Sequence, residues 1–151
     1  MATRKIITQE NEILRKISKP IKNFDEDLWE LLDDMKETLE KSNGVGLACP
    51  QVGVLKRAFV ISLNNAYFEV INPKIVKTSG KNVAQEGCLS IPNVYEEIER
   101  PNVVTIDFED RYGNPMSITA TDFMARAFCH ENDHLNGILF IDYLKNRPFK
   151  K

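Results

Sequence analysis

The spacing of hydrophobic positions changes along the chain, and each change marks an element. From Asp25 to Lys41 they recur at helical spacing, at Leu28, Leu31, Leu32, Met35 and Leu39, which predicts an amphipathic helix packed on a core. Acids crowd its first turn, and Ser42-Asn43-Gly44 supplies a stop. In the middle of the chain the period falls to two. Ala58 to Leu63 and Tyr67 to Asn72 flank Asn64-Asn65, the mark of a tight hairpin turn. Val103 to Glu109 and Met116 to Thr121 form a second pair around Arg111-Tyr112-Gly113-Asn114. The helical period then returns, with Thr121 as N-cap, Asp122 in the first turn, a body running to Leu135, and Asn136-Gly137 as C-cap. Short strands followed by a late helix predict an α+β fold, with antiparallel sheets packed around that helix.

No repeat, low-complexity tract or Gly/Ser linker interrupts the 151 residues, so they read as a single domain, 1–151, large enough for a real core. The apolar and charged fractions are those of a globular chain, which excludes disorder. A net charge of −2 argues against bulk binding to nucleic acid or anionic membrane, and no specific DNA partner is expected. The first seventeen positions mix Arg4, Lys5, Glu10, Glu12 and Arg15 among short apolar steps, too broken for a signal peptide or membrane span. Three cysteines do not make a disulfide framework; a reducing cytoplasm suits them. The basic stretch Lys145 to Lys151 is read as a solvated tail.

The late helix carries His130-Glu131-Asn132-Asp133-His134, an H-E-x-x-H pattern. Residues four apart on a helix share a face, roughly 5–6 Å apart at Cβ, so both imidazoles can reach one metal ion. Glu131 is offset around the helix and can address a water on that ion. The plainer alternative is a solvated helix with two histidines, but these are the chain's only two. A third ligand is not found downstream. Where one H-E-x-x-H class has a third histidine, this chain has Phe140, and from Leu135 onward Asp142 is the only carboxylate. Exclusion therefore points upstream, where the thiols are the candidates of most interest. Cys129 sits about 100° around the helix from His130 and is read as a small buried residue. Cys49 is read as a packed thiol. Cys88, in Gln85-Glu86-Gly87-Cys88-Leu89-Ser90 after a β-like stretch, is the best candidate, and Gly87 lets backbone approach a site.

Three segments now carry a specific resemblance. Gly44-Val45-Gly46-Leu47-Ala48-Cys49-Pro50-Gln51, Glu86-Gly87-Cys88-Leu89-Ser90 and His130-Glu131-Asn132-Asp133-His134-Leu135-Asn136-Gly137 resemble the signature segments of peptide deformylases, in that family's order. Ile13-Leu14-Arg15 with Pro20, and Ile91-Pro92 with Arg100, are similar too. The chain departs from the usual pattern at Cys49, Cys129 and Asn132. None of these is a proposed ligand or acid/base, although the two extra thiols raise the question of oxidative fragility.

The resemblance implies an enzyme that hydrolyses the N-formyl group from the N-terminal formyl-methionine of nascent proteins and releases formate. It implies one divalent metal held by Cys88, His130 and His134. Thiolate and imidazole donors favour Fe(II), Zn, Ni or Co over Mg or Ca; similarity to the family points to Fe(II), with zinc a possible occupant. Glu131 takes the role of general acid/base. The Gln51 side chain and the Leu89 amide map onto the family's donors to the developing oxyanion. Gly44 and Gly46 flank a small residue where backbone approaches ligand closely. Val45, Phe123 and Ala127 are expected to form an apolar pocket for the methionine side chain, Phe123 having ordinary helix core as its alternative. Glu86, Arg100 and Asp133 are expected to support the ligating histidines. Transient contact of the basic tail with the ribosome, where the substrate emerges, is the alternative to the solvated tail. Two other classes stay open: a metallopeptidase cleaving ordinary peptide bonds, and a metal-binding module without catalysis.

Overall fold

The computed structural model describes residues 2–146. Residues 147–151, most of the basic tail, lie outside the described residues, as does any contact that tail makes. Helix α1, Glu26–Ser42, starts where Asp25 accepts a hydrogen bond from the Leu28 N–H, and it stops at Asn43, whose φ of 60° turns the chain left-handed. Its stripe of Leu28, Leu31, Leu32, Met35 and Leu39 is fully buried, each such side chain contributing about 1.5–3 kcal/mol relative to exposure.

Five strands make one antiparallel sheet in the order β1-β2-β3-β6-β7: Gly46–Ala48, Ala58–Leu63, Ala66–Ser79, Val103–Glu109 and Pro115–Thr121. Asn64 and Asn65, with φ of 53° and 66°, close the β2–β3 hairpin as expected. Period two places Phe59 and Ile61 of β2 in the core under helix α2, Asp122–Leu135, and Ala58 and Val60 in the core under α1. The sheet is therefore sandwiched between the two helices.

Two expectations change. Strand β3 does not end at Asn72: it runs on to Ser79. Asn72-Pro73 is a register shift against β6, where Asn72 takes φ 52° and its side chain holds the backbone N–H and carbonyl of Ile21. Thr121 precedes α2 but makes no side-chain cap bond. Asp122 is left-handed there, and its N–H is taken by the Asn102 carbonyl instead.

A second, two-stranded sheet follows the end of the β3–β6 pair, with β4, Asn82–Cys88, antiparallel to β5, Ile91–Arg100. It was not anticipated as a sheet. Cys88 ends β4, at the turn into β5. At the other end of α2, Gly137 (φ 73°) lies so close to the Arg15 carbonyl that a Cβ there would come within 2.5 Å of its oxygen. No helix among the described residues is long and apolar enough to cross a membrane.

Candidate metal centre

Helix α2 runs beneath the opening between β1 and β4, and its line Arg126–His130–His134, at four-residue steps, faces the β4–β5 hairpin. The two imidazole rings lie edge to face with centroids 5.1 Å apart. Cys88 comes in from the hairpin, its Sγ 3.4 Å from His134 Nε2. One donor atom from each of Cys88, His130 and His134 falls within 4.8 Å of the others. The expected trio is thus brought together. Cys129 is buried and outside that group, its thiol pushed up to about 11 by burial. Cys49 is fully buried against Met35, Sγ to Sδ 3.6 Å, and burial pushes it up to about 12. Both agree with their reading as packed thiols. Asp142 is a structural group: it takes Arg15 and the Leu139 N–H.

His130 Nδ1 is 2.8 Å from Glu86 Oε1, which leaves Nε2 for an ion. Burial tends to raise the pKa of Glu86, but hydrogen bonds from Arg100 and His130 outweigh it and hold the carboxyl down to about 2. Arg100 is bidentate on Glu86 and also bonds Asp133, which accepts the Tyr143 hydroxyl as well. Asp133 therefore supports the site through Arg100, and among the described residues its carboxylate bonds neither histidine. Among the described residues His134 Nδ1 has no hydrogen-bond partner. Burial and then the neighbouring His130 charge hold the pKa of His134 well below the ordinary value, so its ring is neutral and free to ligate.

The residues fit a divalent ion on two counts. A thiol and two imidazoles are the donor set of borderline and soft cations. The Glu86 carboxylate on His130 Nδ1 also lies beside the donors, negative charge that offsets part of a cation's.

Glu131, 5% exposed, points across the opening, and its Oε1 is buried with no partner among the described residues. Burial raises it to about 7, with the nearby His130 acting against the shift. Its carboxylate lies flat on Gly46, where a Cβ would come within 2.6 Å of Oε2. Gly46 is therefore required by the protein's own glutamate, a reason that sequence reading assigned to a ligand. Gly44 in turn makes room for Leu89 and Leu39, and Gly87 for the Tyr95 ring. Gln51, 1% exposed, accepts the Ala48 N–H at Oε1 and donates from Nε2 to Ser90 Oγ at 3.1 Å. Its Nε2 also donates toward the centre, to Cys88 Sγ at 3.7 Å.

A cavity of about 400 Å³ opens over these groups, lined by Val45, Gln51, Leu89, Tyr95, Phe123 and Ala127 among others. Phe123 is 49% exposed at its rim and so is not helix core.

With this geometry in hand, comparison with known proteins decides the family. Residues 3–150 match the polypeptide deformylase family model. The chain belongs to the peptide deformylase family. It is 55% identical to the peptide deformylase of Caldicellulosiruptor bescii over 142 residues, 94% of this chain and 86% of that protein. The crystal structure of a peptide deformylase from Legionella pneumophila superposes with a TM-score of 0.94 at 43% identity, covering 99% of this chain and 89% of that one. A peptide deformylase from Synechococcus elongatus in complex with actinonin gives 0.90 at 40% identity, covering 94% and 79%. Family membership makes this a metal-dependent hydrolase with a single catalytic metal.

Sequence reading of this deformylase missed Arg126, Ser90 and Tyr95. Arg126 and Tyr95 line the cavity, and Ser90 and Arg126 hold site residues by hydrogen bonds. The hint for Ser90 was its place in the motif with Cys88. A helical arginine one turn before a histidine gives no hint of burial.

Proposed function

We propose that residues 1–151 form a single catalytic domain that removes the formyl group from the N-terminal formyl-methionine of nascent proteins. The observation that carries this reading is one opening in which a thiol, two imidazoles, a buried carboxylate with a partnerless oxygen, and an oriented amide converge. Cys88, His130 and His134 hold one divalent ion; we assign Fe(II), with Zn, Ni or Co able to occupy the same donors. Such an ion, when bound, would supply Lewis acidity toward water and the formyl carbonyl.

Glu131 would take a proton from the attacking water as its oxygen bonds the formyl carbon, then return it to the amine nitrogen as the C–N bond breaks. The Gln51 Nε2 hydrogen and the Leu89 N–H donate to the oxyanion, and Ala48 and Ser90 fix the Gln51 amide so that no reorientation is needed. The substrate backbone has two places to pair. Among the described residues strand β1 ends the large sheet and β4 pairs with β5 alone, so each has an edge without a strand partner, and both border the cavity. The methionine side chain enters between Val45, Phe123 and Ala127. The reading places the enzyme in the cytoplasm. Any ribosome contact falls to the basic tail, outside the described residues.

Formate release from a series of formyl peptides tests this. Formyl-Met and formyl-norleucine peptides are expected to turn over comparably and formyl-Lys far more slowly, because Val45, Phe123 and Ala127 are apolar and the cavity's acids, Glu86 and Glu131, belong to the metal side of it. Equal turnover of norleucine and lysine would rule out the apolar slot. New amino termini from internal cleavage would make the protein a metallopeptidase, and bound metal without turnover a binding module.

A further inference from the structure

The two halves of the proposed metal site belong to bodies that share no sheet. His130 and His134 ride on α2, whereas Cys88 and Glu86 ride on the β4–β5 hairpin, a separate two-stranded sheet joined to the β3–β6 pair only by the short links 80–81 and 101–102. Something must set the spacing between them to a fraction of an ångström if thiol and imidazoles are to share an ion.

One side chain crosses that gap with four hydrogen bonds. Arg126, 2% exposed, sits one turn before His130 on the same helical line. Its Nη1 donates to Glu86 Oε2 at 2.7 Å and to the Ile98 carbonyl at 2.8 Å. Its Nη2 donates to the Asn82 carbonyl at 2.7 Å and to Asn82 Oδ1 at 3.1 Å. It therefore grips β4 at both its first residue and the carboxylate beside Cys88, and β5 through Ile98. The oxygen of Glu86 that it does not touch is the one that meets His130 Nδ1. A planar guanidinium has its donors in a fixed fork, so contacts in several directions fix position as well as charge; an ammonium at the same place offers a point charge.

We propose that Arg126 is a positioning residue that registers the hairpin bearing Cys88 against the helix bearing His130 and His134, and so sets how firmly the metal is held. This rests on the metal site proposed above. Arg100, equally buried and opposite Asn82 in the hairpin register, makes the reciprocal tie, from β5 and Glu86 to Asp133 on α2. Arg126 is the tie that α2 itself extends, to Asn82, Glu86 and Ile98.

The test uses protein loaded with Co(II) under anaerobic conditions, whose thiolate-to-cobalt absorption in the near ultraviolet reports the Cys88 bond directly. Wild type, Arg126→Lys and Arg126→Met are challenged with excess EDTA, and loss of that band is timed. Leu28→Ala, in the core under α1 on the far face of the sheet, serves as a control for general destabilisation, with unfolding temperatures recorded for all. Outer-shell changes cost about 10–100-fold in metal affinity. Arg126→Met is expected to lose cobalt faster by about that factor with a weakened band, Arg126→Lys to fall between it and wild type, and Leu28→Ala to release at the wild-type rate. Wild-type release from both Arg126 variants would overturn the proposal, as would equally fast release from a Leu28→Ala protein of equal unfolding temperature. If Arg126→Met does not fold, Arg126→Lys decides alone. A wild type showing no cobalt–thiolate band would instead overturn the metal site itself, and this proposal with it.

Discussion

With Glu131 replaced by glutamine, the protein keeps its metal and loses about 10²- to 10⁴-fold in kcat, the usual range for removing a positioned acid/base. Glutamine has nearly the same shape, so the packing against Gly46 survives. What it lacks is a site for the proton. Glu131 suits the task because burial lifts its pKa to about 7, where a carboxyl can both take and return a proton near neutrality. Among the described residues no donor bonds its Oε1 and ties it down. Formate release and metal content, measured on one sample, check this; wild-type turnover with metal bound would remove Glu131 from the chemistry.

Gly46→Ala is expected to approach the same loss without touching any catalytic side chain. The added Cβ would lie 2.6 Å from Glu131 Oε2 and 2.9 Å from its Cδ and Cγ, so the carboxylate must move. A misplacement of about 1 Å can cost about 100-fold in rate. Because the group being displaced is the acid/base, the effect appears in kcat with metal content unchanged. The double variant with Glu131→Gln decides the cause. If Gly46 acts through Glu131, adding Gly46→Ala to Glu131→Gln costs little more, whereas independent roles would multiply. An active Gly46→Ala enzyme, or multiplied losses in the double variant, would refute the link.

Much of this architecture was legible because its signals are local. The α1 stripe, the Asn64-Asn65 turn and the two histidines four apart each follow from the periodicity of one element. Cys88 came by exclusion and by its motif, and the structure brings it to the histidines. What escaped depends on contacts between elements. Strand β5 reads Ile91-Pro92-Asn93-Val94-Tyr95-Glu96-Glu97-Ile98-Glu99-Arg100, with a proline, a left-handed Asn93 and only Ile91, Ile98 and Arg100 buried. A hairpin that pairs with one strand and wets one face has little alternation to show. Asn72-Pro73 looked like a strand end because a bulge uses the same residues as a turn. The burial of Arg126 could not be read at all, since only the folded hairpin supplies the acceptors that make a buried guanidinium tolerable. Gly46 was read as a place where ligand approaches, and the structure puts the Glu131 side chain against it: a glycine reports that something comes close, without saying what.

The central claim is that one sulfur and two ring nitrogens share a single ion, and X-ray absorption at the metal edge of the loaded enzyme tests it most directly. For the zinc form the account predicts one sulfur at about 2.3 Å and two imidazole nitrogens at about 2.0–2.1 Å, with the sulfur shell gone in Cys88→Ala. A first shell of nitrogen and oxygen alone in the wild type, or a sulfur that persists once Cys88 is alanine, would contradict it.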